Sequence, residues 1–400
     1  MKILQLCSRV PYPPINGGSI AMLALTRALC AEGNDVYILS INTPKHHFDL
    51  QNLPDELLDI AQWDAVDIDT TVRPFAALMN LFTNQSYHIQ RFYSKEFENK
   101  LIDLLLKEKF DIIQMESLFV TPYIKSIRKH TKAKIIYRAH NIEYKIWELV
   151  IEGLQAGLKR SYLHIQTYRL KSYETNMVNQ FDAIVTITPE DKKLFESMGC
   201  NLPIHVSPIG VDDTDSNLPE HHNIVPVLFH LGSMNWVPNV EAVDWFIKEA
   251  WNELHKKYPA LKFYIGGRGM PERLTRNNIQ SLYVYDDVED AKQWMNTKDI
   301  MIVPLLSGSG MRVKIIEGMA LGKTIISTTI GAEGIDYTHL QNILIADTPS
   351  DFSQMIGLCF NDRELCTTIS KNAKDFVMNQ YHNKTIGEML NHFYHSLLLN

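Results

Sequence analysis

Residues 304–328 read PLLSGSGMRVKIIEGMALGKTIIST. An apolar run at 300–304 leads into this stretch and a second, at 324–327, closes it; each has the length of a buried strand. Between them Gly308 and Gly310 make a flexible loop, and residues 313–321 read as a helix. Strand, loop, helix and strand in this order are the repeating unit of a parallel sheet. Arg312 and Lys314 fall in the first turn of the helix, where cations oppose the macrodipole. The pattern therefore predicts an anion held by Ser309, Gly310, the helix N-terminus and the two basic side chains. Glu317 follows Lys314 by three residues, near the same face. A carboxylate beside a phosphate site suits ribose hydroxyls, which are donors. The plainer alternative is an exposed Lys–Glu pair, which the apolar character of the rest of the helix opposes.

The same alternation runs outward in both directions. Strands are expected at 3–7, 35–41, 112–115, 134–137, 183–187 and 204–206, with helices at 19–31, 96–108 and 189–198. The stretch 214–223, rich in Asp, Asn, His and Pro, reads as a linker. The pattern then restarts, with strands at 227–231, 262–265, 282–285, 300–304, 324–327 and 343–346, a helix at 240–256, and a helical tail from 349. The fold expected is α/β: two Rossmann-like, doubly wound parallel-sheet domains, 1–212 and 222–375, facing a central cleft. A terminal helix, 376–400, is expected to pack back on the first. Open parallel sheets bind ligands beyond the carboxyl ends of their strands, so the chemistry belongs just after strands.

A length of 400 residues suits two such domains. With 45% hydrophobic and 21% charged residues the chain is globular. A net charge of −7 disfavours nucleic acid as a partner. The five cysteines are scattered, with no CxxC pair, which argues against a disulfide framework or zinc cluster and fits a reducing cytoplasm. The start, MKILQLCSRVPYPP, has too short an apolar run for a secretory signal, and no run reaches the ~18 residues of a membrane span.

Three further motifs follow expected strands. PPINGGSIAM (13–22) sets Gly17 and Gly18 at a helix start, which reads either as an anion site or as a cap with turn glycines. YRAHNIEYKIW (137–147) puts Arg138 and His140 at a strand end, where the histidine can donate to a hydroxyl or a phosphate oxygen or be satisfied by loop backbone. HLGSMNWVPNV (230–240) offers a close backbone approach at Gly232, or an N-terminal cap with Pro238 in the first turn. Arg268, in IGGRGM (265–270), reads as a nucleotide contact or a solvated turn arginine. The acidic runs VDDTD (211–215) and YDDVED (285–290) read as caps and solvated loops, so no metal is assigned.

Taken together, NGGS, AHN, SPIGVD (207–212) and KIIEGMALGKTIIST (314–328) resemble the retaining GT-B glycosyltransferases of glycosyltransferase family 4, also called glycosyl transferases group 1. The resemblance spans nearly the whole chain. It implies an acceptor-side first domain and a second domain that binds a nucleotide-diphosphate sugar, with UDP or GDP as the nucleotide. It further implies phosphate contacts from the backbone of Gly17 and Gly18, a sugar contact from His140, diphosphate contacts from Arg312 and Lys314, and ribose held by Glu317, so that His140 and Glu317 are the catalytic candidates. The chain departs from the family at two points. Ser309 stands where a first glutamate is usual, and SMNWVPN carries no basic pair. Arg268, Arg312 and Lys314 are the cations left for that phosphate role.

The implied reaction retains anomeric configuration without a metal, in polysaccharide or glycoconjugate synthesis, on a sugar or lipid-linked acceptor. Alternatives on the same fold are a nucleotide-sugar epimerase and a non-catalytic nucleotide-binding relative. The missing GxGxxG argues against an NAD-dependent oxidoreductase. The segment 123–138 holds six Lys and Arg and no acid, in an acidic chain. It reads either as a solvated helix end or as peripheral contact with an anionic membrane, which places the protein in the cytoplasm or on the inner membrane face.

Overall fold

A computed structural model describes residues 1–15, 17–212, 223–308 and 310–399. The chain divides into two compact units, Met1–Ile209 with Asn383–Asn400, and Gly210–His382. Ser309 and nearly all of the expected linker lie outside the described residues.

The first unit contains strands β1 (Lys2–Cys7), β2 (Asp35–Asn42), β3 (Ala61–Asp67), β4 (Ile112–Glu116), β5 (Lys134–Ala139), β6 (Ala183–Thr186) and β7 (Ile204–Val206). The second contains β8 (Val227–Leu231), β9 (Lys262–Gly267), β10 (Leu282–Asp286), β11 (Ile300–Val303), β12 (Thr324–Ser327) and β13 (Leu344–Ile345). Their orders are β3-β2-β1-β4-β5-β6-β7 and β10-β9-β8-β11-β12-β13. All neighbouring strands are parallel. Each order reverses once, between β1 and β4 and between β8 and β11. Such a reversal opens a crevice at the carboxyl ends of the two strands.

Helices cover both faces of the first sheet, so its inner strands are apolar on both sides. Along β1, Ile3 and Cys7 pack with Met22, Leu25 and Leu390 on one face. Leu4 and Leu6 pack with Phe97, Leu101 and Met115 on the other. The strand that sequence reading does not anticipate is β3, AQWDAVD. It is paired only with β2 and lies at the sheet edge, where polar residues are tolerated and the apolar run that marks inner strands is not required. The expected helix 240–256 is in three pieces: Val237–Phe246, a π-helical turn Ile247–Trp251, and Asn252–Lys257. The wider turn falls where Trp251 is buried against Phe263, with ring centroids 5.6 Å apart.

The chain does not leave the second unit at residue 376. The helix Arg363–Gln380 runs through that position and buries Ile369, Ala373 and Val377. The return begins at Asn383. From there the helix Asn383–Leu399 sits on the helix Gly17–Ala31, so closely that a Cβ on Gly387 would lie 2.9 Å from Cβ of Ala28. Its Tyr394 hydroxyl donates to Gln114 of β4. No described helix is long and apolar enough to cross a membrane.

The terminal helix is thus part of the first unit's core. Leu390→Ala should lower the unfolding free energy by about 2–5 kcal/mol, while Glu388→Ala on the exposed side of the same helix should change it by less than about 0.5 kcal/mol. Urea unfolding of both variants measures this, and a Leu390→Ala midpoint equal to that of the unaltered chain would contradict it.

Candidate functional site

In the second unit the strand order reverses between β8 and β11, and three side chains meet there. His230, from β8, is fully buried, with Nδ1 2.8 Å from the carbonyl oxygen of Ile302 in β11. A carbonyl only accepts, so Nδ1 carries the proton and Nε2 keeps its lone pair. That lone pair faces the Lys314 ammonium at 3.5 Å. Lys314 Nζ also donates to Asn239 Oδ1 at 3.0 Å, and Asn239 Nδ2 donates to the carbonyl of Ser233 at 2.9 Å. Burial, followed by the charge of Lys314, keeps His230 well below the usual histidine range and therefore neutral. Burial, followed by the neighbouring Arg312 charge, pulls Lys314 down to about 7. Its partners are neutral acceptors, and among the described residues no carboxylate pairs with it.

The loop before Lys314 is shaped by glycine. Gly308 and Gly310 have φ of 114° and 84°, in the left-handed region. A Cβ on Gly308 would come within 2.9 Å of Arg312 Nη2 and of the Trp236 ring. Arg312 caps the helix Val313–Ala320, lies over Trp236 at 5.1 Å from its centroid, and donates Nη1 to the carbonyl of Gly310 at 2.5 Å. Its pKa is lowered by burial. Glu317 lies one turn beyond Lys314, and burial raises its pKa, with Lys292 opposing. No described residue forms an ion pair or hydrogen bond with its carboxyl group.

Two expected contacts have different roles in the structure. A Cβ on Gly232 would lie 2.7 Å from Asn239 Nδ2, so the space that this glycine frees is taken by Asn239 and not by a ligand. Arg268 is exposed, and its Nε donates to Asp287 Oδ1 at 2.8 Å. It does not join the Lys314 group, because its carboxylate partner, Asp287, lies just past β10, at the edge of the sheet.

In the first unit the reversal lies between β1 and β4, and β4 ends in Glu116. The register of β4 and β5 sets Glu116 directly beside Arg138, and adjacent residues in register point to the same face. Arg138 therefore does not project from a strand end. It is 1% exposed inside β5, with Nη1 3.1 Å from Glu116 Oε2 and 3.3 Å from the carbonyl of Ala21. His140, two residues on, places Nε2 2.6 Å from the same Glu116 oxygen. Gln114 donates to the other oxygen. Burial is the largest influence on Glu116 and would raise it, but Arg138, His140 and Gln114 outweigh burial and hold it at about 2. Burial pushes His140 below the usual histidine range, with Glu116 opposing. The imidazole is then neutral and its Nε2–H donates to the carboxylate. Nε2 is thus committed to Glu116, and Nδ1 is the ring nitrogen left for a further partner.

Gly17 and Gly18 are the first residues of the helix Gly17–Ala31 and not a turn before it, and neither has a left-handed φ. A Cβ on Gly17 would meet nothing within 4 Å, so the backbone there opens to free space. Sequence reasoning missed Glu116 and His230. The available signal was a carboxylate and a histidine at or near the carboxyl ends of otherwise apolar strands, IIQME and VLFHL. It also missed Glu174, whose carboxylate accepts from the N–H groups of Glu143 and Tyr144 at 3.0 and 3.1 Å and so caps the helix Glu143–Glu152 just after His140. Burial raises Glu174 to about 7.

Residues 15–215 match the family described as Glycosyltransferase Family 4, and residues 225–362 match Glycosyl transferases group 1. An uncharacterized 44.6 kDa protein in the cps region of Klebsiella pneumoniae is 23% identical over 399 residues, covering 96% of this chain and 97% of that protein. The crystal structure of HepE from Anabaena in complex with UDP superposes with a TM-score of 0.67 at 14% identity, covering 99% of this chain and 100% of that one. Sucrose-phosphate synthase from Thermosynechococcus elongatus superposes with a TM-score of 0.70 at 14% identity, covering all of both chains.

Glu116→Gln leaves the Arg138 guanidinium buried without a counter-charge and should cost about 3–5 kcal/mol of stability near neutral pH. The pH dependence has a definite sign. The carboxyl is held at about 2 against an ordinary 4.5, so its stabilisation is whole above about pH 4.5 and is lost as pH falls through about 2. Denaturant midpoints measured across that window should fall more steeply for the unaltered chain than for Glu116→Gln. Parallel curves would contradict the pairing.

Proposed function

The chain belongs to glycosyltransferase family 4, and on that premise we propose that it transfers a sugar from a nucleotide-diphosphate donor to an acceptor hydroxyl with retention of anomeric configuration. The observation that carries this reading is Lys314. It is a half-buried ammonium at the crevice of the second sheet, held by two neutral acceptors, His230 and Asn239. A diphosphate supplies the missing negative charge. Arg312 and the first turn of the helix Val313–Ala320 add to the positive field around it. These two cations take the place of the basic pair absent from SMNWVPN. The Glu317 carboxyl group, with no hydrogen-bonding partner among the described residues, accepts from the ribose hydroxyls.

In the proposed reaction the bond from the anomeric carbon to the diphosphate oxygen breaks, and the acceptor oxygen bonds to the same face. The acceptor proton passes to the departing phosphate oxygen. Charge builds on the diphosphate as it leaves, and Lys314 and Arg312 are preorganised to stabilise it. No carboxylate is assigned as a glycosidase-type nucleophile, since Glu116 is committed to Arg138 and His140. The Nδ1 lone pair of His140 accepts from a sugar hydroxyl. Because fixed cations and helix N-termini carry the phosphate charge, turnover should survive EDTA. The UDP in the HepE complex supports uridine over guanosine in the donor. The cps region of the Klebsiella relative supports a polysaccharide as the product.

Calorimetric titration with UDP and with uridine tests the assignment. Lys314→Ala should weaken UDP by about 10- to 150-fold, the equivalent of one charge-assisted contact of roughly 1.5–3 kcal/mol, and should leave uridine within about twofold. Glu317→Gln should weaken both ligands. Equal UDP affinity in the unaltered chain and Lys314→Ala would remove the diphosphate from this site.

A further inference from the structure

The segments 70–95 and 153–173 contain no Asp or Glu, in a chain whose net charge is −7, and between them they carry seven Lys and Arg. They are packed together in the first unit. Arg169 donates Nη1 to the carbonyl of Asn80 and Nη2 to that of Leu81, both at 2.9 Å, and Gln166 bonds Asn80 Oδ1 at 2.8 Å and the Tyr87 N–H at 2.9 Å. These packed segments expose apolar side chains where a soluble surface is ordinarily polar. Phe75, Leu78 and Met79 of the helix Pro74–Asn80 are exposed, Phe82 just beyond it is 83% exposed, and Leu158 at the start of the helix Leu158–Met177 is 92% exposed. Single exposed apolar residues are ordinary, but five of them on two segments packed together call for a partner.

Charge says which partner. Arg73 faces Asp69 at 2.6 Å and Lys171 faces Glu148 at 3.6 Å. Lys159 and Arg160 have no ion-pair partner among the described residues. They stand in the first turn of the helix Leu158–Met177, which has no acid there and where the macrodipole favours an anion. A second copy of this chain is a poor occupant, since a twofold contact through Lys159 and Arg160 would set cations against cations, and the carboxylates Asp69 and Glu148 are already paired with Arg73 and Lys171. We infer that this face seats on an anionic bilayer surface, with Phe75 and Phe82 entering the headgroup region and Lys159 and Arg160 meeting lipid phosphates. The basic segment 123–138 is a different surface. Its Ile124 and Ile127 are buried and Arg128 is held by Asp182 at 2.7 Å, so it presents charge without an apolar face.

Vesicle flotation of the full chain tests this, with phosphatidylcholine alone and with phosphatidylcholine containing phosphatidylglycerol. The chain should float only with the anionic vesicles, and less as salt rises. Each basic residue near anionic lipid is worth about fivefold in partitioning, so Lys159→Glu/Arg160→Glu should reduce it by at least about 25-fold. Phe75→Ser/Phe82→Ser should reduce it by at least about tenfold, with an unchanged thermal midpoint. Lys125→Glu/Lys129→Glu should retain binding. Three results would overturn the inference: no flotation with anionic vesicles, loss of binding in Lys125→Glu/Lys129→Glu alone, or a solution dimer that Phe75→Ser/Phe82→Ser dissociates.

Discussion

Parallel pairing is the constraint from which the rest of this structure follows. A parallel strand can be joined to the next only by a crossover, so within each sheet every strand points the same way and every carboxyl end lies on one rim. Both sheets are wholly parallel, and each reverses its order once. At the first reversal the chain has Glu116, with Arg138 and His140 on the neighbouring strand and just past it. At the second it has His230, Asn239 and Lys314. Strand register sets Glu116 beside Arg138, while Asn239 and Lys314 are brought to His230 by the helices that follow β8 and β11.

The two sites handle charge in opposite ways. Taking an ion out of water is expensive unless it is paired. Glu116 is paired on both oxygens, by Arg138 and His140 on one and Gln114 on the other, and its charge is kept. The group is complete as it stands, with the His140 ring held by the Glu116 carboxylate. Lys314 is given neutral acceptors, and its pKa falls to about 7. That group is incomplete and poised between charged and neutral at physiological pH. A diphosphate would complete it, and the binding free energy would then include the charge interaction that the protein itself leaves unmade.

Much of the fold was legible because inner strands of a parallel sheet are covered on both faces and so appear as plain apolar runs. Among the described residues twelve of the thirteen strands fall on apolar runs, the edge strands β7, β10 and β13 included, and β3, AQWDAVD, does not. The segment 304–328 reads as an anion site from glycine and cations at a helix start, and the geometry differs from that reading in two respects. Arg312 is the cap and not a first-turn residue, and Lys314 turns inward to Asn239 and His230. Arg138 was misplaced because a strand-end arginine and a buried one look alike until the register with Glu116 is known. Gly232 was misplaced for a similar reason, since only the structure shows Asn239 filling its space.

Lys314 lacks an anion among the described residues, and in the proposed reaction the donor's diphosphate supplies one. The measurable consequence is a proton. With a pKa of about 7 in the free chain, Lys314 is mostly neutral near pH 8, and a bound diphosphate, by favouring the charged form, would draw a proton from solution. The heat of UDP binding near pH 8, compared between two buffers of different ionisation enthalpy, reports that proton directly. Uptake should approach one proton, fall towards none near pH 6 and be absent in Lys314→Met. Binding with no uptake near pH 8, or with the same uptake in Lys314→Met, would contradict this assignment.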